Sequence, residues 1–318
     1  MQTTQNTLRN PSLVNVIRLF LLVLVVLSVY YYDVIQLGVN CVWNYLLTLW
    51  FFNSVYFETW LTMGCYLLLN LYPYSVDCLR TLDKYKIEKS VQYRTQTVIG
   101  MIQEAIAYAV PFMFLDTFMV KKYCGVEASI WDRKRESTIQ YTRALPVDAP
   151  TFAQLMFQLM ASLILYDVFF FFIHYTLHRS PWLYKTVHKW HHSHDVLECH
   201  VTNQLSHVER ITLVLSANTA LKVFNSHPLT RTVFVPVFQL LLIENHIGYD
   251  FPWSLSHVVP FRLMGGARKH YAHHMQGGKH YQPLFSYLDH FLERIQSTNV
   301  KFSSPNRKFH RLSKAHSS

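Results

Sequence analysis

Charged side chains are scarce in this chain of 318 residues: they make up 15% of it, where a soluble domain carries roughly a quarter. With 22 Phe and 20 Tyr, that shortage excludes an ordinary water-soluble domain and points to a membrane protein. Cysteine is nearly absent too. Cys41, Cys65, Cys78, Cys124 and Cys199 are odd in number, irregular in spacing and contain no CxxC, which excludes a disulfide framework and a thiolate metal site. There is no Asn-x-Ser/Thr sequon, no Gly-rich phosphate loop and no internal repeat. The net charge of +10 comes without a zinc-finger, RNP or basic-helix pattern, so no nucleic-acid partner is expected. Two absences are positional: Lys and Arg do not occur from residue 19 to residue 79, and His does not occur before residue 174.

What is present begins with long apolar runs. Residues 19–32, LFLLVLVVLSVYYY, extend to about residue 38 and read as a retained anchor, since the polar residues before them resemble no signal peptide and no small-residue cleavage site follows. Residues 55–75 are a second candidate, 97–120 a weaker third interrupted by Gln103, Glu104, Pro111 and Asp116, and 152–177 a strong fourth. The fold expected is therefore all-α and multi-pass, with about four transmembrane helices. Basic residues bordering a span mark the cytoplasmic side. Arg80, Lys84, Lys86, Lys89 and Arg94 place residues 77–96 inside and the 39–54 connection outside. The 121–151 loop, with Lys121, Lys122 and Arg133–Arg135, conflicts with its outside location. Beyond residue 210 the apolar stretches 211–224 and 233–243 are too short to cross comfortably, so a re-entrant or interfacial hairpin is expected.

The histidines gather in patterns: HYTLH gives His174 and His178, HKWHH gives His188, His191 and His192, and HYAHH gives His270, His273 and His274. Positions i, i+3 and i+4 of a helix share a face, so His174 and His178 can reach one metal ion. In HxxHH the two adjacent rings diverge by about 100° and can serve two neighbouring ions. Eight imidazoles exceed what one tetrahedral zinc takes; imidazole suits iron, copper, nickel and zinc alike. A helix from Thr151 rises about 35 Å by His174, so these rings emerge at the membrane boundary. Asp167, seven residues earlier and inside the membrane, is expected to accept the outward N–H of a ligand imidazole. His257, His310 and His316 read as surface or loop residues.

Taken together, the HxxxH and two HxxHH boxes resemble the membrane fatty acid hydroxylase/sterol desaturase superfamily. SPWLYKTVHKWHH at 180–192, HPLT at 227–230, ENHIGYDFPWS at 244–254, VPF at 259–261 and HYAHH at 270–274 narrow the likeness to its cholesterol 25-hydroxylase branch, over about residues 75–295. The resemblance implies a cytosolic histidine-rich cap holding a dinuclear iron site at the endoplasmic reticulum membrane. It implies O₂-dependent hydroxylation of a lipid, a sterol first of all. The ligands it implies are the eight box histidines and His246, with Asp250 as a ligand or a group behind one. Departures from the family pattern are Ser206 in SHVE at 206–209, which makes His207 a doubtful ligand, and Gly278, His280 and Leu288 after the third box, where only Asp289 matches.

On this reading residues 1–151 are a membrane region, 152–300 the catalytic domain and 301–318 a basic tail. No flavin or nicotinamide fold and no fused cytochrome b5 is present, so reducing equivalents come from an external NAD(P)H-dependent system through a membrane-bound cytochrome b5 or reductase. Competing readings are a sterol C-4 methyl oxidase or desaturase, a fatty-acyl hydroxylase, and a non-enzymatic lipid- or zinc-binding membrane protein with a degenerate site.

Overall fold

Long apolar runs satisfy their backbone polar groups internally by coiling, and nearly all of this chain does so. The computed structural model describes residues 11–90, 96–194 and 196–302, with no strand among them. The principal helices are α1 (Pro11–Tyr30), α2 (Tyr32–Thr48), α3 (Phe57–Cys78), α4 (Val98–Phe118), α5 (Phe152–Arg179), α6 (His207–Val223), α7 (Pro228–His246), α8 (Ala267–Gln276) and α9 (Tyr287–Phe302). Among the described residues, α1, α4 and α5 are long and apolar enough to cross a membrane. The expected second span is helical as α3, but more polar. The first run breaks at Tyr31, so the expected 19–38 span is divided between α1 and α2. The doubtful third span is one continuous helix. Both of its acidic residues have partners: Glu104 accepts from the Tyr66 hydroxyl at 2.6 Å, and Asp116 accepts from Thr59 at 2.7 Å.

Partners of the helix ends define two ends of the bundle. At one, Trp43 Nε1 donates to the Val147 carbonyl, and Glu58 gathers Arg231 at 2.9 Å, Lys121 at 3.6 Å and Arg143 at 3.6 Å. At the other, Asp77 at the end of α3 accepts from Tyr249. Arg18 of α1 donates to the Val258 and His257 carbonyls, 240 and 239 residues away. Lys121 also pairs with Asp116 at 2.8 Å. Two of the six cations of the 121–151 loop are thus paired inside the protein.

The hairpin corrects the sequence expectation. Its helices, about 25 Å for α6 and about 28 Å for α7, both begin before the apolar stretches, and α7 also ends beyond its own. Its tip reaches the start of α5: Gln158 donates to the Phe224 and Asn225 carbonyls and accepts from the His227 N–H and the Thr230 hydroxyl. The pair therefore lies along the apolar length of α5 and is not a shallow dip. Leu159, Leu163 and Tyr166 of α5, Ala220 and Leu221 of α6 and Phe234 of α7 form the core between them. Chain direction is preserved all the same, because both outer ends of the hairpin return to the end of α5 that carries the histidines.

Candidate metal centre

The C-terminal two turns of α5 present His174 and His178 on one face. Ser180 then stops the helix in an extended conformation, its side chain accepting from the Leu183 N–H. The second box is not on a regular helix. Lys189 N–H donates to Tyr184 O, a π-turn, and His191 and His192 follow in tighter i+3 turns. α7 ends at His246. α8 starts after Gly266, at φ 81°, and stops at Gly277, at φ 65°, two backbone positions that favour glycine.

These elements bring the nine expected histidines into two groups. His174, His178, His188, His192 and His273 form one; His191, His246, His270 and His274 form the other. Within each group the ring nitrogens lie within 4.8 Å of one another. Each adjacent pair splits: His192 and His273 go to the five-membered group, and His191 and His274 to the four-membered one. The rings at i and i+4, His188 with His192 and His270 with His274, stay together.

The inward atoms are lone pairs. His174 Nδ1 donates to the Tyr281 carbonyl at 2.7 Å, His273 Nδ1 to the Lys279 carbonyl at 2.6 Å and His246 Nδ1 to the Leu242 carbonyl at 2.8 Å. A carbonyl only accepts, so each of these neutral rings carries its proton outward and a bare Nε2 inward. The inward nitrogens face one another: His174 to His188 at 3.1 Å, His178 to His273 at 3.1 Å, His188 to His178 and to His192 at 3.0 Å, His246 to His270 at 2.9 Å and His270 to His274 at 3.0 Å. Burial and the neighbouring rings hold His191, His270, His273 and His274 well below the ordinary histidine range, and burial holds His192 at about 4. Protons are thus disfavoured between these rings, and a dication fits where the lone pairs converge. With metal–nitrogen bonds of about 2.1 Å, nitrogens about 3.0 Å apart subtend roughly 90°, whereas tetrahedral ligands would stand roughly 3.4 Å apart.

Residues 159–293 match the family model described as Fatty acid hydroxylase. That stretch contains all nine histidines. Over that stretch the chain is similar to the fatty acid hydroxylase family. The chain is 36% identical over 153 residues to cholesterol 25-hydroxylase of Mus musculus, covering 48% of this chain and 51% of that protein. To cholesterol 25-hydroxylase of Homo sapiens it is 29% identical over 219 residues, 69% and 74% of the two chains. To cholesterol 25-hydroxylase-like protein 1, member 2 of Danio rerio it is 33% identical over 161 residues, 51% and 58%. The chain thus spans about half the length of the rodent relatives it matches. No solved structure matches it.

Groups outside the two clusters support the histidines, and here the structure departs from expectation. Asp167 does not touch an imidazole. It accepts from the Leu284 and Phe285 N–H groups at 2.8 and 3.1 Å and from the Gln282 side chain. Asp289 accepts from the Tyr281 and Gln282 N–H groups at 2.8 and 3.1 Å. Two buried carboxylates therefore clamp the 279–285 loop, and the loop's carbonyls orient His174 and His273. Asp250 is in neither histidine group; His257 at 2.7 Å and Arg268 at 2.8 Å occupy its oxygens. That pair ties the 250–258 segment to α8, and it makes His257 a partnered side chain where a surface residue was expected. His207 is exposed at the start of α6. His227 lies at the far end of the bundle, where it caps α7 and donates to the Asp148 carbonyl.

The residue missing from the expected set is Glu209. Its carboxylate accepts from His188 Nδ1 at 2.7 Å, and burial raises it to about 8. A dication on His188 would oppose that shift and keep the carboxylate charged. The signal was present in SHVE at 206–209, where Ser206 caps α6 by accepting from the Glu209 N–H.

Proposed function

We propose that this protein is an O₂-dependent di-iron lipid hydroxylase of the endoplasmic reticulum membrane, acting on a sterol side chain in the manner that the names of its relatives suggest. The observation that carries the proposal is the pair of histidine groups, five rings and four, each with its ring nitrogens converging to within 4.8 Å of one another. His174, His178, His188, His192 and His273 would hold one iron; His191, His246, His270 and His274 would hold the other. The bound irons supply O₂ activation and C–H oxidation. The balance is RH + O₂ + 2 e⁻ + 2 H⁺ → ROH + H₂O, with the electrons from a separate cytochrome b5 or reductase.

The protein's own contribution is orientation and exclusion of water. The carbonyls of Tyr281, Lys279 and Leu242 and the carboxylate of Glu209 fix which nitrogen of His174, His273, His246 and His188 points inward. Burial keeps the rings neutral and available as ligands. Residues 152–300 form the catalytic part, with α1, α3, α4 and α5 crossing the bilayer and the histidine end facing the cytosol.

The test is lipid mass spectrometry of cells expressing the wild-type protein, His191→Ala or His273→Ala. Wild type should add a hydroxylated sterol that both variants lack while remaining in the membrane. A hydroxylated acyl chain or an oxidised C-4 methyl sterol would reassign the substrate. Product formation by either variant at the wild-type rate would overturn the site.

A further inference from the structure

The four-membered group has an outer partner unlike those of the five-membered one. His194 closes the run HKWHHSH at 188–194. Its Nε2 lies 2.9 Å from His274 Nδ1, and the two rings are 4.9 Å apart. On its other side His274 turns Nε2 toward His270 Nε2 at 3.0 Å. If His274 is to offer a lone pair inward, its proton sits on Nδ1, and His194 Nε2 must accept it. Building on the di-iron reading above, we infer that His194 is a positioning residue for the second ion: it fixes the tautomer and ring orientation of His274.

The consequence is an unequal pair of sites. The five-membered group is backed by a carboxylate, Glu209, and by two carbonyls of a loop that Asp167 and Asp289 clamp. The four-membered group is backed by the Leu242 carbonyl and by a neutral imidazole just beyond the turn at 189–192. It has one ligand fewer, and its acceptor on His274 is an uncharged ring outside any helix. The ion held by His191, His246, His270 and His274 is therefore the first to leave, and His194 controls how readily.

Full-length protein in mild detergent, loaded anaerobically with ferrous iron, is titrated with a chelator, and iron per chain is measured. Wild type should release its two ions in two steps. In His194→Ala the weaker step should shift by about 10- to 100-fold, the usual loss when the outer partner of a ligand histidine is removed; the tighter step should stay in place. Gln places its Oε1 where His Nε2 stands and Asn does not, so His194→Gln should restore the weaker step and His194→Asn should not. An unchanged titration in His194→Ala, equal behaviour of the Gln and Asn variants, or parallel loss of both ions would overturn the inference and leave the two-iron reading intact. A wild-type protein that binds a single ion would overturn the two-iron reading itself, and the inference with it.

Discussion

At the scale of single residues, the histidines that gather into the two groups were legible because they are written in side chains. An HxxxH and two HxxHH boxes state residue type and spacing, and the structure brings all eight box histidines and His246 into two groups. What orients them was not legible, because much of it is backbone. The Tyr281 and Lys279 carbonyls that accept from His174 and His273 carry no sequence signature, and they belong to the 279–285 loop where the family pattern is least evident. Asp167 drew notice as a buried acid near the site, but helix periodicity alone could not distinguish an imidazole from the loop N–H groups it binds. Glu209 is the informative case. Removing an acceptor behind a ligand histidine costs about 10- to 100-fold in metal affinity. Glu209→Ala should therefore weaken the tighter of the two ions by that factor, while Glu209→Gln, which keeps an acceptor oxygen near His188 Nδ1, should stay closer to wild type. Metal titration of the two variants checks this; equal affinities in Glu209→Ala and wild type would remove Glu209 from the site.

At the scale of elements, helices and their order could be read from apolar runs, but their lengths could not. α6 and α7 extend past the apolar stretches because their polar ends find partners in the protein: Glu209 meets His188, and Asn245 donates to the Pro283 carbonyl. A hydropathy reading counts those residues as solvent-facing and trims the helix. The π-turn at Tyr184–His188 was equally invisible, since nothing in YKTVH distinguishes it from an α-helical turn. The entry to α8 depends on Gly266. A Cβ there would stand 2.5 Å from Ser256 Cβ, and the backbone has φ 81°. Gly266→Ala should cost about 1–3 kcal/mol in backbone strain alone and displace His270, His273 and His274, which follow within two turns. Thermal unfolding in detergent and iron content should both fall. Ser256→Gly in the same chain, by removing the contacting side chain, should recover part of the loss but not the strain. Wild-type iron content in Gly266→Ala would show that α8 does not depend on this entry.

At the scale of the whole molecule, the charge rule and the contacts can be set against each other. Read by basic residues alone, the 121–151 loop belongs with residues 77–96, on the cytosolic side. Read by contacts, it belongs at the opposite end: Lys121 and Arg143 pair with Glu58 near the start of α3, whereas Asp77 at the end of α3 meets Tyr249 beside the site. Of the loop's six basic residues only Lys121 and Arg143 pair with a buried carboxylate, so its placement at the far end rests on the contacts and not on the charges. The contacts therefore decide, and they make a prediction that the charges alone would reverse. Glycosylation sequons engineered into the 39–54 connection and into the 121–151 loop, extended to stand clear of the bilayer, should both be modified in microsomes. Sequons in the 193–206 segment and after residue 300 should not, because the proposed function places the histidine end, and both segments with it, in the cytosol. Modification at 193–206 would turn the whole assembly over. Modification after residue 300 alone would mean that α6 and α7 do not return to the same face, and His191 and His192 could then not meet His270, His273 and His274.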